Sequence, residues 1–213
     1  MELATYIDHT LLKPTATIND IRKLCKEAIK YQFCAVCVNA CYITLVKKEL
    51  GNSNIKIAAV IGFPLGATVT DAKIYEAVEC IESGADEIDM VINIGWLKSA
   101  EHELVEAEIR RIKEIIGDRI LKVIIETCYL SDREKETACR LAVNAGADFV
   151  KTSTGFGSGG ATFEDVKLMK AVVGDKAKIK ASGGIKDTAT ALRYIKLGVS
   201  RIGTSSGITI VTT

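Results

Sequence analysis

Ionisable side chains interrupt segments of this sequence that are otherwise apolar. Glu87, Asp89 and Asn93 alternate with Ile88, Met90 and Ile92, and Lys178, Lys180 and Ser182 alternate with Ile179 and Ala181. In a strand, alternate residues share a face, so one face of each segment is polar and the other suits packing against helices. Lys151 is followed by Thr152, Ser153 and Thr154, Lys122 and Glu126 share a further segment, and Asp8 lies in the first. Buried charges are costly unless paired. Any one of these residues is explained equally well as polar filling that neutralises itself. Five segments converging with lysines and acids favour chemistry.

The chemistry that uses lysines and acids without a cofactor motif is attack of an amine on a carbonyl. An exposed lysine is mostly protonated at neutral pH. Burial and a second ammonium both disfavour that charge, and Lys180 beside Lys151 supplies the second ammonium. A nearby acid then shuttles protons through carbinolamine, imine and enamine stages.

Glycine-rich turns occupy 154–160, 182–184 and 203–207, the last with Ser205 and Ser206. Glycine lets backbone N–H groups crowd an anion. Any one turn is ordinary, but three together favour a phosphate site, as do loops after the last strands of a barrel. Gly155, Gly157 and Gly160 also fit a dinucleotide fingerprint, with Asp175 near the place of the ribose-binding acid. That motif opens a first βα unit, whereas this one follows the sixth strand, so it is read as a chance match.

The elements that must position these groups alternate from end to end. Apolar strand candidates lie at 5–9, 33–38, 56–61, 87–92, 121–126, 148–152, 178–182 and 200–204. Amphipathic stripes separate them: Ile21, Leu24, Cys25, Ala28 and Ile29; Ile74, Ala77, Val78 and Ile81; Leu104, Val105, Ile109, Ile112 and Ile116. Asp132 and Asp187 fall where N-caps are expected. Gly84, Gly146 and Gly198 each close a helix before a strand, a weak internal echo about two βα units long. Eight such units without a linker predict an α/β fold, a compact (β/α)8 TIM barrel, over a single open doubly wound sheet. Residues 1–213 form one domain in this reading, with the eighth helix short or missing.

The chain has 213 residues, 48% hydrophobic, which excludes disorder. A net charge of +1 suggests no nucleic-acid partner. No run approaches the roughly 20 apolar residues of a membrane span, and the N-terminus lacks the pattern of a signal peptide. A cytoplasmic location follows by default. Cys34 and Cys37 form a Cys-x-x-Cys, but on a strand they face opposite ways. With only His9 and His102 available, no metal site is expected, and the thiols are expected to be reduced and buried.

Taken together, VKTSTG at 150–155, EIDMVIN at 87–93, KIKASGGI at 178–185, IDHTLLKP at 7–14, KVIIET at 122–127 and GTSS at 203–206 resemble the deoxyribose-phosphate aldolase family. The likeness runs over nearly the whole chain in the right order. It implies a class I aldolase that reversibly cleaves 2-deoxy-D-ribose 5-phosphate to D-glyceraldehyde 3-phosphate and acetaldehyde, in deoxyribonucleotide catabolism. It implies Lys151 as the imine-forming lysine and Lys180 as the lysine that perturbs it. Asp89 is the proton donor and acceptor acting through water, and Asp8 a supporting acid. Thr152, Gly155, Gly183, Gly184, Ser205 and Ser206 fall at substrate and phosphate positions, and Cys37 near the site. No cofactor and no metal are implied, the substrate is a small phosphosugar, and a homodimer or higher homo-oligomer is expected. Two places depart from the family: Phe156 stands where some members have lysine, and the sequence given ends at Thr213 where some have a longer tail. The rival readings are another imine-forming phosphosugar aldolase, a non-catalytic phosphosugar-binding barrel, and a dinucleotide-binding protein.

Overall fold

A computed structural model describes residues 3–213. Strands β1 (Ile7–Leu11), β2 (Ala35–Asn39), β3 (Lys56–Ile61), β4 (Glu87–Val91), β5 (Ile120–Ile124), β6 (Phe149–Lys151), β7 (Lys178–Ser182) and β8 (Arg201–Thr204) pair in sequence order, and β8 pairs back onto β1. Every pairing is parallel. Between them run α1 (Ile18–Tyr31), α2 (Ile43–Leu50), α3 (Thr70–Ser83), α4 (Ile94–Lys98), α5 (His102–Ile116), α6 (Asp132–Asn144), α7 (Phe163–Val173) and α8 (Thr188–Lys196), and α9 (Gly207–Thr212) follows β8. This is the (β/α)8 barrel that the alternation predicts, with a final helix of 6 residues.

Helix boundaries follow local chemistry. In α1 the buried stripe is Ile21, Leu24, Cys25 and Ala28, and Thr17 and Asp20 form a reciprocal capping box. Asp187 caps α8 as expected, accepting from Thr190 N–H at 2.8 Å. Asp132 does not cap α6. Ser131 does, because its hydroxyl and the Glu134 carboxylate satisfy each other's backbone N–H groups, which places Asp132 inside the first turn. The short α4 was not foreseen; Asn93 caps it by accepting from Trp96 N–H at 3.1 Å.

Three strands, β1, β2 and β5, miss an expected bound by two residues. Residues 3–6 form a 3-10 turn, so β1 starts at Ile7 and runs to Leu11. Strand β5 stops at Ile124, and Glu126 turns to a φ of 54°. There its carboxylate accepts from the backbone N–H of Thr154 at 3.2 Å and from the Thr154 hydroxyl. Cys34 precedes β2 rather than lying on it, and Cys37 is buried inside the barrel. Of the two thiols expected to be buried, Cys37 is and Cys34 is only half-buried.

The strands separate two apolar compartments. Outward residues such as Val36, Ile88, Met90, Val123, Val150 and Ile202 join the helices in one large core. Inside the barrel the apolar part is small: Leu12, Cys37, Ala58 and Val60, with Phe63 against them. Ala35, Val91, Ile124 and Phe149 share the inward parity, and a cluster of charged groups sits among them. Among the described residues, no helix is long and apolar enough to cross a membrane.

Candidate active site

Strand register brings the charged groups to one level. Asp89 lies opposite Lys122, Lys151 opposite Lys180, and Lys180 opposite Arg201. Asp89 is fully buried and stands at the centre. Its Oδ1 accepts from Lys122 Nζ at 2.8 Å. Its Oδ2 accepts from both Lys151 Nζ at 2.8 Å and Lys180 Nζ at 2.7 Å. Lys180 Nζ also lies 2.5 Å from Asp8 Oδ2, and Arg201 Nε donates to Asp8 Oδ1 at 2.6 Å. Below, Glu87 accepts from Arg201 through both carboxylate oxygens, at 3.2 and 3.0 Å, and lies 2.5 Å from Lys122.

Four cations, Lys122, Lys151, Lys180 and Arg201, therefore face three carboxylates, Asp8, Glu87 and Asp89. Burial works against every one of these charges, yet the opposite charges around Asp8 and Asp89 outweigh it. Asp8 is lowered to about 2, with Lys180 and Arg201 as the strongest opposing partners. Asp89 is held well below the carboxylate range by Lys122, Lys151 and Lys180. Lys122 and Lys180 are raised for the reciprocal reason: burial is outweighed by Asp89 for the first, and by Asp8 and Asp89 for the second. Asp8 is thus a fixed anion that keeps Lys180 charged.

That arrangement sets an acid limit on stability. Asp8 is depressed in the folded state, so its contribution is present above its unfolded value of 3.8 and is lost as pH falls to about 2. Unfolding free energy measured by urea titration is expected to drop by roughly 2 kcal/mol from Asp8 alone between those limits. An Asp8→Asn variant is expected to show a shallower fall over the same window.

Above this layer a cavity of about 370 Å³ opens at the C-terminal ends of the strands. Lys151 lines it, at 2% exposure. Gly155, Gly183, Gly184, Ser205 and Ser206 line it as well. Gly183 and Gly184 hold φ of 88° and 81°, in the left-handed region that glycine adopts freely. A Cβ at Gly160 would come within 2.3 Å of the Gly183 carbonyl oxygen, so the 154–160 loop packs backbone to backbone on the 182–184 turn. Thr152 is not among the lining residues. It is fully buried, and its hydroxyl donates to the Ser182 carbonyl at 3.1 Å and accepts from the Ser182 N–H at 3.0 Å. Its place is therefore to fasten β6 to β7.

Sequence reasoning missed three cations. Arg201 shares strand parity with Gly203 and could have been placed inward by that signal. Lys13 and Lys186 line the cavity from loops, where no periodicity marks them. Phe156 also lines the cavity and packs edge-on against Phe63, with ring centroids 5.3 Å apart. The aromatic pair joins the loop after β3 to the loop after β6.

The arrangement offers a lysine amine at the floor of a cleft, a buried carboxylate held between it and a second lysine, and an anion-accepting rim of glycine, serine and lysine. Comparison with known proteins agrees with the geometry. The family model for DeoC/LacD family aldolases matches residues 3–210. A deoxyribose-phosphate aldolase of Finegoldia magna is 59% identical over 211 residues, covering 99% of both chains. That of Carboxydothermus hydrogenoformans is 55% identical, covering 99% of this chain and 94% of its own. Among solved structures, an aldolase called QR15 superposes with a TM-score of 0.95 at 41% identity, covering 98% of this chain and 94% of its own. A tetrameric deoxyribose phosphate aldolase from Aeropyrum pernix superposes with a TM-score of 0.87 at 33% identity, covering 98% and 89%.

Proposed function

This chain belongs to the DeoC/LacD family of aldolases, and from that premise we propose that it reversibly cleaves 2-deoxy-D-ribose 5-phosphate to D-glyceraldehyde 3-phosphate and acetaldehyde through an imine on Lys151. The observation that carries the mechanism is the position of Lys151 Nζ, at the cavity floor and 2.8 Å from Asp89.

The uncharged amine of Lys151 attacks C1 of the open-chain sugar, and loss of water gives an iminium. The C2–C3 bond then breaks, and its electron pair moves into the iminium to form an enamine. The C3 hydroxyl loses its proton towards Asp89 and becomes the aldehyde of the leaving triose phosphate. Asp89, gripped by Lys122 and Lys180, stays ionised, so it orients the water that takes the C3 hydroxyl proton and carries it on to the enamine carbon. Protonation of the enamine at C2 and hydrolysis release acetaldehyde and restore Lys151. The phosphate rests on Gly183, Gly184, Ser205 and Ser206, with Gly155 closing the rim, and Lys13 and Lys186 supply positive charge.

Residues 1–213 act as one domain in this reading. A cytoplasmic place in deoxyribonucleotide catabolism suits the substrate. A homo-oligomer, a dimer or larger, fits the tetrameric relative and the exposed Leu65, Val69 and Tyr75.

Borohydride reduction in the presence of 2-deoxyribose 5-phosphate, followed by peptide mass spectrometry, tests the chemistry. A reduced adduct on Lys151 and enzymatic release of acetaldehyde are expected. With unphosphorylated 2-deoxyribose, KM is expected to rise by about 100-fold, the scale of losing two or so charge-assisted contacts. An adduct on Lys180 would reverse the two lysine roles. Absence of any adduct in folded protein would leave only a phosphosugar-binding barrel.

A further inference from the structure

Lys73 and Glu108 form a second ion pair, outside the barrel and with both side chains at 0% exposure. Lys73 lies on the buried face of α3 with Ala77 and Cys80, and Glu108 on the buried face of α5. Their charged ends meet at 2.8 Å. A buried pair of this kind adds little to stability, because well-packed apolar residues of similar volume often serve as well or better. What an apolar pair cannot do is bind backbone, and both of these groups do. Lys73 Nζ donates to the Val91 carbonyl at 2.8 Å. Glu108 accepts from the Asn93 backbone N–H and from the Thr70 hydroxyl.

Those contacts fall two and four residues beyond Asp89. Strand β4 pairs with β3 only as far as Met90, opposite Ile61. Past that point β3 turns away at Gly62, and Val91 has no β3 residue to pair with. The lysine stem crosses the gap. A Cβ at Gly62 would lie 2.7 Å from Lys73 Cε, so the glycine leaves the channel open. The same loop also presses on the end of β4, since a Cβ at Gly66 would lie 2.0 Å from the Ile92 carbonyl oxygen.

We infer that Lys73 and Glu108 are positioning residues for the aldol reaction: they fix the end of β4 so that the Asp89 carboxylate meets Lys151 and Lys180 together. The inference rests on the function proposed above. Asp89 must hold one oxygen within hydrogen-bonding distance of two lysines, and misplacement by about 1 Å costs on the order of 100-fold in rate. The phosphate rim is carried by the loops after β1, β6, β7 and β8, and none of it by β4, so the pair acts on turnover and not on substrate affinity.

Two variants separate this role from a structural one. Lys73→Met/Glu108→Leu replaces the charges with apolar volume. It is expected to melt within about 4 °C of wild type, with kcat lowered roughly 10- to 100-fold and KM changed less than about threefold. Glu108→Gln keeps acceptors for Lys73 and Asn93 but leaves the lysine charge uncompensated. It is expected to melt about 5 °C or more below wild type, with kcat, measured below that melting point, within about threefold of wild type. One variant thus loses rate at nearly unchanged stability, and the other loses stability at nearly unchanged rate. A folded double variant with wild-type kcat would overturn the inference, and so would a Glu108→Gln protein as slow as the double variant. If the double variant does not fold, the Glu108→Gln kcat decides. Wild-type protein that neither cleaves the phosphosugar nor yields an adduct would instead overturn the functional reading, and this role with it.

Discussion

Lys151→Ala is expected to lower kcat/KM for 2-deoxyribose 5-phosphate by at least about 10⁴-fold, equivalent to about 5.5 kcal/mol of transition-state stabilisation. The borohydride adduct is expected to vanish with it. Stability should move the other way or not at all. The variant removes one of four interior cations and leaves three facing three carboxylates. Asp89 Oδ2 keeps Lys180 at 2.7 Å and Oδ1 keeps Lys122 at 2.8 Å. A melting temperature at or above that of the wild type, with activity gone, would show that Lys151 serves chemistry rather than folding. Residual turnover within 10-fold of wild type, in protein free of contaminating enzyme, would remove Lys151 from the nucleophile's place.

Asp89→Asn has a different profile. The substitution keeps the shape but leaves Lys122, Lys151, Lys180 and Arg201 facing only Asp8 and Glu87. Breaking a buried charge network on one side typically costs about 3–5 kcal/mol, and loss of a proton-handling group costs about 10²–10⁴-fold in rate. Both losses are expected together, unlike those of Lys151→Ala. The stability deficit should narrow as pH rises. In the wild type, Lys122 and Lys180 are raised, so their contribution is present below the unfolded lysine value and is lost with increasing pH. In the variant, Lys122 and Lys180 each lose one carboxylate and keep only Glu87 and Asp8, so burial disfavours their charge more strongly and rising pH favours its folded state relative to the wild type. Urea titrations at pH 7 and 10 measure the difference. A deficit that stayed constant, or grew, would show that Asp89 is not the group neutralising these lysines.

Much of this architecture was legible in the sequence because parity is a local signal. Alternation of Glu87 and Asp89 with Ile88 and Met90 states which way each side chain faces, and parallel barrel strands buried on both sides leave no other solution. The lysine strands could be read in the same way. Strand ends were less legible, because they depend on partners elsewhere. Strand β5 stops before Glu126 because that carboxylate reaches Thr154, 28 residues on. Thr152 looked like a ligand-binding residue from its motif, but the hydroxyl closes on Ser182 in three dimensions. Arg201 carried the correct parity, yet its two carboxylate partners come from β1 and β4, and no spacing reveals them. Lys73 and Glu108 were hidden most completely: on a helix a charged residue reads as solvent-facing unless the backbone it serves is known.

Closure of β8 onto β1 gives the charged interior a direction in time. Asp8 leaves the ribosome with the first strand, and Glu87, Asp89 and Lys122 follow, but Lys180 and Arg201 belong to the last two strands. Until they emerge, a nascent chain that folded early would have to bury Asp8 with no cation beside it, and Glu87 with only part of its complement. The same charges that equip the site therefore penalise premature collapse of a partial barrel. Translation must deliver β7 and β8 before the interior can close, and a product truncated before Arg201 would lack the guanidinium that joins β1 to β4.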